Sequence, residues 1–114
     1  MTTPTRTMPA ACFHVLLSLA DAARHGLGIM EEVEDRTDGH VLLGPGSLYG
    51  SLKRLASDGL IREKQRTPGS DGDPRRRYYE ITREGRRALR RELEVLELIM
   101  TAARDKALIP GARG

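Results

Sequence analysis

The segment from Gly44 to Ile61, which reads GPGSLYGSLKRLASDGLI, constrains the fold more than any other part of this chain. Leu48, Leu52 and Leu55 recur at helical spacing and predict a helix with one continuous apolar face. Gly50 lies inside this helix, although an interior glycine costs about 1 kcal/mol relative to alanine. A helix that keeps its second face this small is expected to let another molecule, or another helix, come close.

The predicted helix begins at Gly44, a suitable N-cap before Pro45, and ends at Asp58-Gly59. Its second face combines glycines, which let a backbone approach closely, with hydroxyl and cationic side chains that bind phosphates or base edges. The residues of this face are Gly46, Ser47, Tyr49, Gly50, Ser51, Lys53 and Arg54. We interpret them as a DNA-binding face. The competing interpretation is a solvated surface with a tight helix crossing at Gly50.

Two further helices are predicted before this segment. Residues 10–22 are apolar over most of the helix circumference, which predicts burial on two sides. One of these sides is expected to face a second subunit through Phe13 and Leu16. Residues 27–36 are predicted to form a helix with an acidic outer face. Its inner face is predicted at Leu27, Met30 and Val33.

A turn is predicted at residues 24–26, and it places Arg24 and His25 beside the first turn of the second helix. The positive end of a helix dipole attracts phosphate, and the helix before a reading helix usually meets the DNA backbone end-on. Arg24 and His25 are therefore predicted phosphate contacts. Residues 41–43, which read VLL, are predicted to form a short buried strand.

Residues 60–67 and 75–82 alternate between apolar and charged positions and flank a segment rich in turn formers, which predicts a β-hairpin with a long tip. The predicted phosphate contacts of this hairpin are Arg66, Arg75, Arg76 and Arg77. Because Asp71 and Asp73 lie at the tip, contact is expected along the arm. The competing interpretation is that the cations only protect an edge strand from aggregation.

A long last helix is predicted after Thr82, which suits an N-cap. Apolar residues follow one of its faces at steps of four and three, a heptad seam of about two repeats. The seam consists of Leu89, Leu93, Leu96, Met100 and Ala103. It predicts dimer contacts, and it also suits the wall of a pocket for a small apolar or aromatic effector at the dimer interface.

The predicted elements follow the order of a winged helix-turn-helix, mainly α with a small β-hairpin, plus a C-terminal dimerisation helix. We divide the chain into a disordered tail at 1–8 and a DNA-binding domain at 9–82. The dimerisation helix is expected at 83–107, followed by a second disordered tail at 108–114.

The chain has 114 residues, which suits one domain that dimerisation would help to stabilise. Its single cysteine excludes an intrachain disulfide and favours a reducing cytoplasm. Cys12 is interpreted as a small buried hydrophobe, with a redox sensor as the alternative. No run reaches the ~20 apolar residues of a membrane span. A signal peptide after Arg6 is a further alternative, which Pro9 and His14 disfavour.

Catalysis and metal binding find no support in the sequence. The histidines at positions 14, 25 and 40 are scattered, and no pattern pairs a nucleophile with a base. We therefore predict a protein that is not an enzyme and that uses no metal or cofactor.

Three blocks of the sequence, from about Ala11 to Ala103, resemble the PadR family of bacterial transcriptional regulators. They are FHVLLSLADAARHGLGIMEEVE, LGPGSLYGSLKRLASDGLI and RRRYYEITREGRRAL. The resemblance implies a winged-helix domain, a homodimer through the C-terminal helix, and repression by operator binding. Many members of that family release DNA on binding a small molecule, phenolic acids being the founding case. The single C-terminal helix resembles the compact subfamily, and Leu27 stands where the family often has an aromatic residue.

Two functions are compatible with these residues. The first is a cytoplasmic homodimeric repressor whose two reading helices enter major grooves of a pseudo-palindromic operator in double-stranded DNA, about one helical turn apart. The second is a dimeric winged-helix module that binds an acidic protein partner with its basic hairpin, since the fold alone does not decide the function. Preference for one duplex over random DNA distinguishes them.

Overall fold

The computed structural model describes residues 8–64 and 77–111 of the chain. In these residues seven elements follow one another: α1 (Ala10–Ser18), β1 (Arg24–His25), α2 (Gly26–Arg36), α3 (Pro45–Ser57), β2 (Ile61–Glu63), β3 (Tyr78–Ile81) and α4 (Arg83–Asp105). The predicted fold class is confirmed, because the described chain is mainly helical with a small antiparallel sheet, two strands of which follow the third helix.

The core is aliphatic, and α1, α2 and α3 supply most of it. α1 packs against α2, α3 and α4, so its side chains occupy the centre of the domain. Each fully buried Leu, Ile or Val contributes about 1.5–3 kcal/mol relative to an exposed one. The largest fully buried apolar side chains are Leu16, Leu19, Ile29, Leu48, Leu55, Val15 and Val33.

Strand β1, which joins the two strands of the predicted hairpin in one sheet, lies where the sequence predicted a turn. β1 pairs with β3, with Arg24 opposite Tyr79, and the strand order is β1-β3-β2. The strand predicted at residues 41–43 is wrong: these residues are not a strand, and the Leu42 side chain is 68% exposed. Thr37 holds this loop instead, since its Oγ1 accepts the Val41 N–H at 3.0 Å.

Helix α1 ends at Ser18, four residues before the predicted end at position 22. The Leu19 and Ala20 N–H groups turn back to carbonyl oxygens three residues earlier, at Leu16 and Leu17. The Arg24 Nε donates to the Ser18 carbonyl oxygen at 2.7 Å. The guanidinium therefore satisfies a carbonyl that a continued helix would have used, which an apolar pattern does not reveal.

The inner face of α2 is one position away from the predicted one at its first turn. Leu27 is 49% exposed, whereas Gly26, Ile29 and Val33 are buried. Met30 is half-buried against the core, as predicted. The prediction for Leu27 was wrong because Gly26, which lacks a side chain, takes the buried position.

The predicted bounds of α3 are confirmed. Gly44 is the N-cap, Pro45 opens the helix and Asp58 is the C-cap. Gly59 has a φ of +77°, a left-handed conformation that favours glycine at a helix end. The stripe of Leu48, Leu52 and Leu55 is buried against the core.

Helix α4 is fixed to the turn that follows α3. Thr82 is its N-cap, accepting the Gly85 N–H at 3.0 Å and donating to the Gly59 carbonyl oxygen at 2.7 Å. A Cβ on Gly85 would overlap the Leu60 carbonyl oxygen and lie 2.7 Å from Ile81 Cγ1. Only glycine lets the two backbones pass this closely.

Two residues predicted to form the dimer interface, Leu16 and Leu89, belong to the core of the single chain. Both are buried there, Leu16 from α1 and Leu89 from the first part of α4. The interface prediction was wrong for them because an apolar stripe does not say where the core ends. Phe13 and Ala103 are half-buried, and the remaining seam residues are exposed.

Of the two predicted tails, the structure describes only residue 8 of the first and residues 108–111 of the second. Met8 contacts α4, since its N–H donates to Glu92 Oε2 at 3.2 Å. Leu108 is exposed just after α4. The division of the chain into a DNA-binding domain at 9–82 and a dimerisation helix at 83–107 stays a prediction. Within residues 8–64 and 77–111, no helix combines the length and the apolar character needed to cross a membrane.

Candidate nucleic-acid interface

The exposed face of α3 is open along its centre line. A Cβ added at Gly46 or at Gly50 would meet no atom within 4 Å in the described part of the chain. The tight helix crossing considered at Gly50 is therefore not present among residues 8–64 and 77–111. Small residues on a free helix face leave room for a ligand to come close to the backbone.

Cationic and hydroxyl side chains surround these glycines. Gly46, Gly50, Lys53 and Ser57 recur at steps of four and three, so they lie on one line along the helix. Ser57 was missed by the sequence analysis, although its spacing from Lys53 would have indicated it. Ser47, Tyr49, Lys53, Arg54 and Ser57 are all exposed.

Ser51 does not share this exposed face. Its side chain is 7% exposed and lies on the core side of α3. The prediction that it contacts DNA needs an accessible hydroxyl, which this conformation does not offer. A serine at this position keeps the helix close to its neighbours, because a larger side chain would need space in the core.

Tyr49 connects α3 to the start of α2. A Cβ placed on Gly26 would be 2.9 Å from Tyr49 Oη and 3.1 Å from Leu48 Cδ2. The phenol ring is 57% exposed, yet its hydroxyl end lies against the first residue of α2. The exposed face of α3 and the N-terminus of α2 are thus joined at one point.

His25 caps α2. Its Nδ1 accepts the Gly28 N–H at 3.1 Å, which satisfies one of the free N–H groups at the helix start. Its ring also meets the Tyr78 ring edge-on, with centroids 5.2 Å apart and an interplanar angle of 87°. The predicted phosphate contact is therefore a capping residue that ties α2 to β3.

The Arg24 guanidinium already has acidic partners. Its Nη2 lies 3.2 Å from Asp21 Oδ1 and 3.7 Å from Glu32 Oε1, in addition to its hydrogen bond to Ser18. Glu32 also pairs with Arg36 at 2.7 Å. A phosphate near Arg24 would have to compete with these carboxylates, which was not expected from the sequence.

The hairpin contributes cations at its base. Arg77 is exposed and lies 3.9 Å from Glu63, and Arg62 pairs with Glu80 at 2.8 Å. Lys64 is exposed at the end of β2. The predicted contacts Arg66, Arg75 and Arg76 lie outside the described residues.

An apolar cavity of about 630 Å³ opens between α1 and α4, away from the residues above. It is lined by Met8, Pro9, Ala10, Phe13, His14, Glu92, Val95, Leu96 and Ile99. Burial, and next the nearby Arg36 guanidinium, lower the pKa of His14 below its ordinary value. The His14 imidazole and the Glu92 carboxylate are the polar side chains of its lining.

Residues that could bind a metal ion are not grouped in the part of the chain that the structure describes. There, no three His, Cys, Asp or Glu side chains are placed to hold a metal ion. Cys12 is buried in the core, where a small hydrophobe is expected.

Comparison with known proteins gives this arrangement a context. A sequence model of the transcriptional regulator PadR-like family matches residues 15–91. Over 88 residues the chain is 38% identical to the transcriptional regulator Rv3488 of Mycobacterium tuberculosis, and the match covers 77% of each protein.

A second relative is much longer than this chain. It is an uncharacterized 37.1 kDa protein in transposon TN4556 of Streptomyces fradiae, 41% identical over 78 residues. The match covers 68% of this chain and 20% of that protein, so the chain corresponds to about a fifth of it.

A solved structure shares the fold. It is Bacillus subtilis PadR in complex with operator DNA, with a TM-score of 0.62 and 19% sequence identity. The match covers 75% of this chain and 47% of that one.

Proposed function

Because the chain belongs to the PadR-like family of transcriptional regulators, we propose that it binds operator DNA as a homodimer and represses the promoter it occupies. The observation that carries this proposal is the open, cationic face of α3. The family makes regulation of transcription, not catalysis, the activity of the chain. It also disfavours the alternative of a module that binds only an acidic protein.

α3 is the element that enters the major groove. Gly46 and Gly50 let the helix backbone approach, and Ser47, Lys53 and Arg54 bind phosphates or base edges on its flanks. Tyr49 is exposed beside them and offers a phenol hydroxyl at the junction with α2. Ser51 is left out of this contact because it is buried.

The start of α2 and the hairpin hold the DNA backbone on either side. His25 fixes the first turn of α2, whose positive end favours a phosphate. Arg24 contributes there by holding the preceding turn through its hydrogen bond to Ser18. Of the four predicted hairpin contacts, Arg77 lies within the described residues, and we extend the contact to Arg66, Arg75 and Arg76 on the sequence alone.

The dimer forms through the second half of α4. Leu93, Leu96 and Met100 are each about 40% exposed at heptad spacing, with Ala103 one step further. A second copy would cover these side chains and the half-buried Phe13 of α1. Two copies related by a two-fold axis would present two α3 helices to a pseudo-palindromic operator.

The cavity between α1 and α4 is the proposed site of a small apolar or aromatic effector. Phe13 offers a ring for stacking, and His14 and Glu92 offer polar contacts. Because Phe13 and Leu96 belong both to this cavity and to the proposed dimer surface, a bound molecule would change how the two copies meet. This would alter the distance between the two α3 helices and so release the operator.

A protein with this function works in the cytoplasm, where the DNA is. Titration with a labelled duplex from the region upstream of the gene tests the function. A dissociation constant of about 10⁻⁸ M or lower at physiological salt is expected, at least about a thousandfold below that for random duplex. Equal affinity for both duplexes would contradict operator binding and favour the protein-interaction module.

A further inference from the structure

The first half of α4 carries a band of cations that the proposed function does not use. We define the arginine stripe as Arg83, Arg86, Arg87, Arg90 and Arg91, all of which are exposed. At 100° per residue the five positions fall within an arc of about 140°. The buried positions of the same turns, Gly85, Ala88 and Leu89, lie on the opposite side. The stripe is therefore one continuous basic surface.

This arrangement weakens the helix that carries it. Arginines three and four residues apart face each other and repel, as Arg83 and Arg87 do, or Arg86 and Arg90. Arg83 and Arg86 also lie in the first turn, where the helix dipole favours negative charge. A surface that only needed to be soluble would alternate the two signs.

Carboxylates do not neutralise the stripe in the described structure. Within residues 8–64 and 77–111 the ion pairs involve Arg24, Arg36, Arg62 and Arg77, and none includes an arginine of the stripe. Glu84 is exposed at the edge of the stripe in the first turn, but it forms no ion pair with these arginines in the described residues, and Glu94 and Glu97 follow on the same face beyond the C-terminal end of the stripe. The positive charge is thus available to an anionic partner.

The chemistry of the stripe favours phosphates as that partner. All five cations are arginines, whose planar guanidinium forks bind phosphate oxygens in pairs, and no lysine interrupts them. The stripe is about 12 Å long from its first to its last residue. One strand of a duplex presents a phosphate about every 3.4 Å along its axis, so about three or four would face it.

We propose that the arginine stripe is a second DNA-binding surface, which holds the phosphate backbone of duplex DNA without reading its sequence. The choice of DNA as the partner rests on the proposed function, whereas the surface itself rests on exposed arginines that have no acidic partner among residues 8–64 and 77–111. It is separate from the reading face of α3, and its contribution adds to binding outside the operator.

Random-sequence duplex tests this surface directly, because it contains no operator. The full-length chain with Arg86→Gln, Arg87→Gln and Arg90→Gln is compared with the wild type over a series of salt concentrations. Each lost phosphate contact makes the negative slope of log K against log salt less steep by about 0.9, so its magnitude is expected to fall by about 2 to 3. An unchanged slope would overturn the proposal.

A charge-matched control separates local contact from net charge. Glu31→Gln, Glu34→Gln and Asp35→Asn on α2 remove three negative charges and restore the net charge when combined with the stripe variant. The magnitude of the slope for this combination is expected to stay about 2 to 3 smaller than that for the α2 variant alone. Recovery to the value of the α2 variant would show a general charge effect and overturn the proposal.

Two further measurements test whether the variant is unfolded and whether the stripe binds an acidic polypeptide instead of DNA. The triple arginine variant is expected to melt no lower than the wild type, because the repulsion is relieved, so lost binding does not reflect unfolding. Polyglutamate at equal charge concentration is expected to compete poorly with the duplex for the wild type. Equal competition would assign the stripe to an acidic polypeptide instead. A wild-type chain that binds operator and random duplex equally would count against the proposed function. The slope test of the stripe would stay valid, because it uses random duplex only.

Discussion

The hydroxyl of Tyr49 lies against Gly26, so closely that a Cβ at Gly26 would be 2.9 Å from the phenol oxygen. This contact joins the face of α3 that is proposed to read DNA to the helix end that is proposed to hold the backbone. The position of one element relative to the other therefore depends on a glycine and on an aromatic ring that is 57% exposed.

Gly26→Ala is expected to destabilise the protein through the Tyr49 ring. In a double-mutant cycle with Tyr49→Ala, the added methyl group should cost less when the ring is absent. A coupling energy of at least about 0.5 kcal/mol is expected from urea unfolding of the four proteins. Strict additivity would mean that the ring moves aside freely and that the contact does not join the two helices.

Gly50→Ala is expected to separate stability from binding. Its Cβ would meet open space, so the helix should gain up to about 1 kcal/mol in the free energy of unfolding. The same methyl group stands on the face where DNA is proposed to approach, so operator affinity should fall. Thermal melting and duplex titration of one preparation check both effects, and unchanged affinity would remove Gly50 from the interface.

Lys53→Ala is expected to weaken binding to every duplex, because the ammonium group contacts phosphate and not a base. The magnitude of the negative slope of log K against log salt should decrease by about one. Lys106→Ala provides a matched control, since Lys106 is an exposed cation at the far end of α4. Equal effects of the two substitutions would indicate a general charge effect and not a contact by α3.

Leu96→Glu is expected to convert the proposed dimer into a monomer, because it places a carboxylate in the heptad seam. Sedimentation velocity measures the change. Leu98→Glu is the control: Leu98 is 71% exposed and lies on the side of α4 opposite the seam, so its substitution should leave the dimer intact. A dimer that survives Leu96→Glu would place the interface elsewhere.

Acid is expected to destabilise the fold through His14. Burial and Arg36 lower its folded-state pKa below the ordinary value of 6.5, so the unfolded chain binds a proton more readily. The contribution of neutral His14 to the free energy of unfolding is complete above pH 6.5 and is lost as the pH falls through the folded-state pKa. Urea midpoints measured between pH 7 and 5 should therefore fall less steeply for His14→Gln than for the wild type, and parallel curves would contradict this.

The leucine stripe of α3 and the heptad seam of α4 could be predicted because both helices repeat a simple pattern. β1 could not, since a strand of two residues has no period and exists only because β3 lies beside it. The core position of Leu16 and Leu89 depends in the same way on which side of an apolar helix the other elements occupy.

The sequence predicted which residues the exposed face of α3 carries, but it did not predict the ion pairs around Arg24. Gly46, Gly50 and Lys53 are exposed as expected, because their place opposite the leucines follows from helical geometry alone. The buried Ser51 lies at the border of the two faces, where spacing decides little. The carboxylates around Arg24 come from two different elements, and only the folded chain brings them together.

The backbone crossing at Gly85 and Leu60 has a consequence for how an operator is chosen. The crossing packs the start of the long C-terminal helix directly against the DNA-reading unit, so in a dimer built through that helix the geometry of this joint would contribute to the distance between the two reading helices. Changes at this joint would then shift which half-site spacing is accepted, while every residue that faces a base stayed the same.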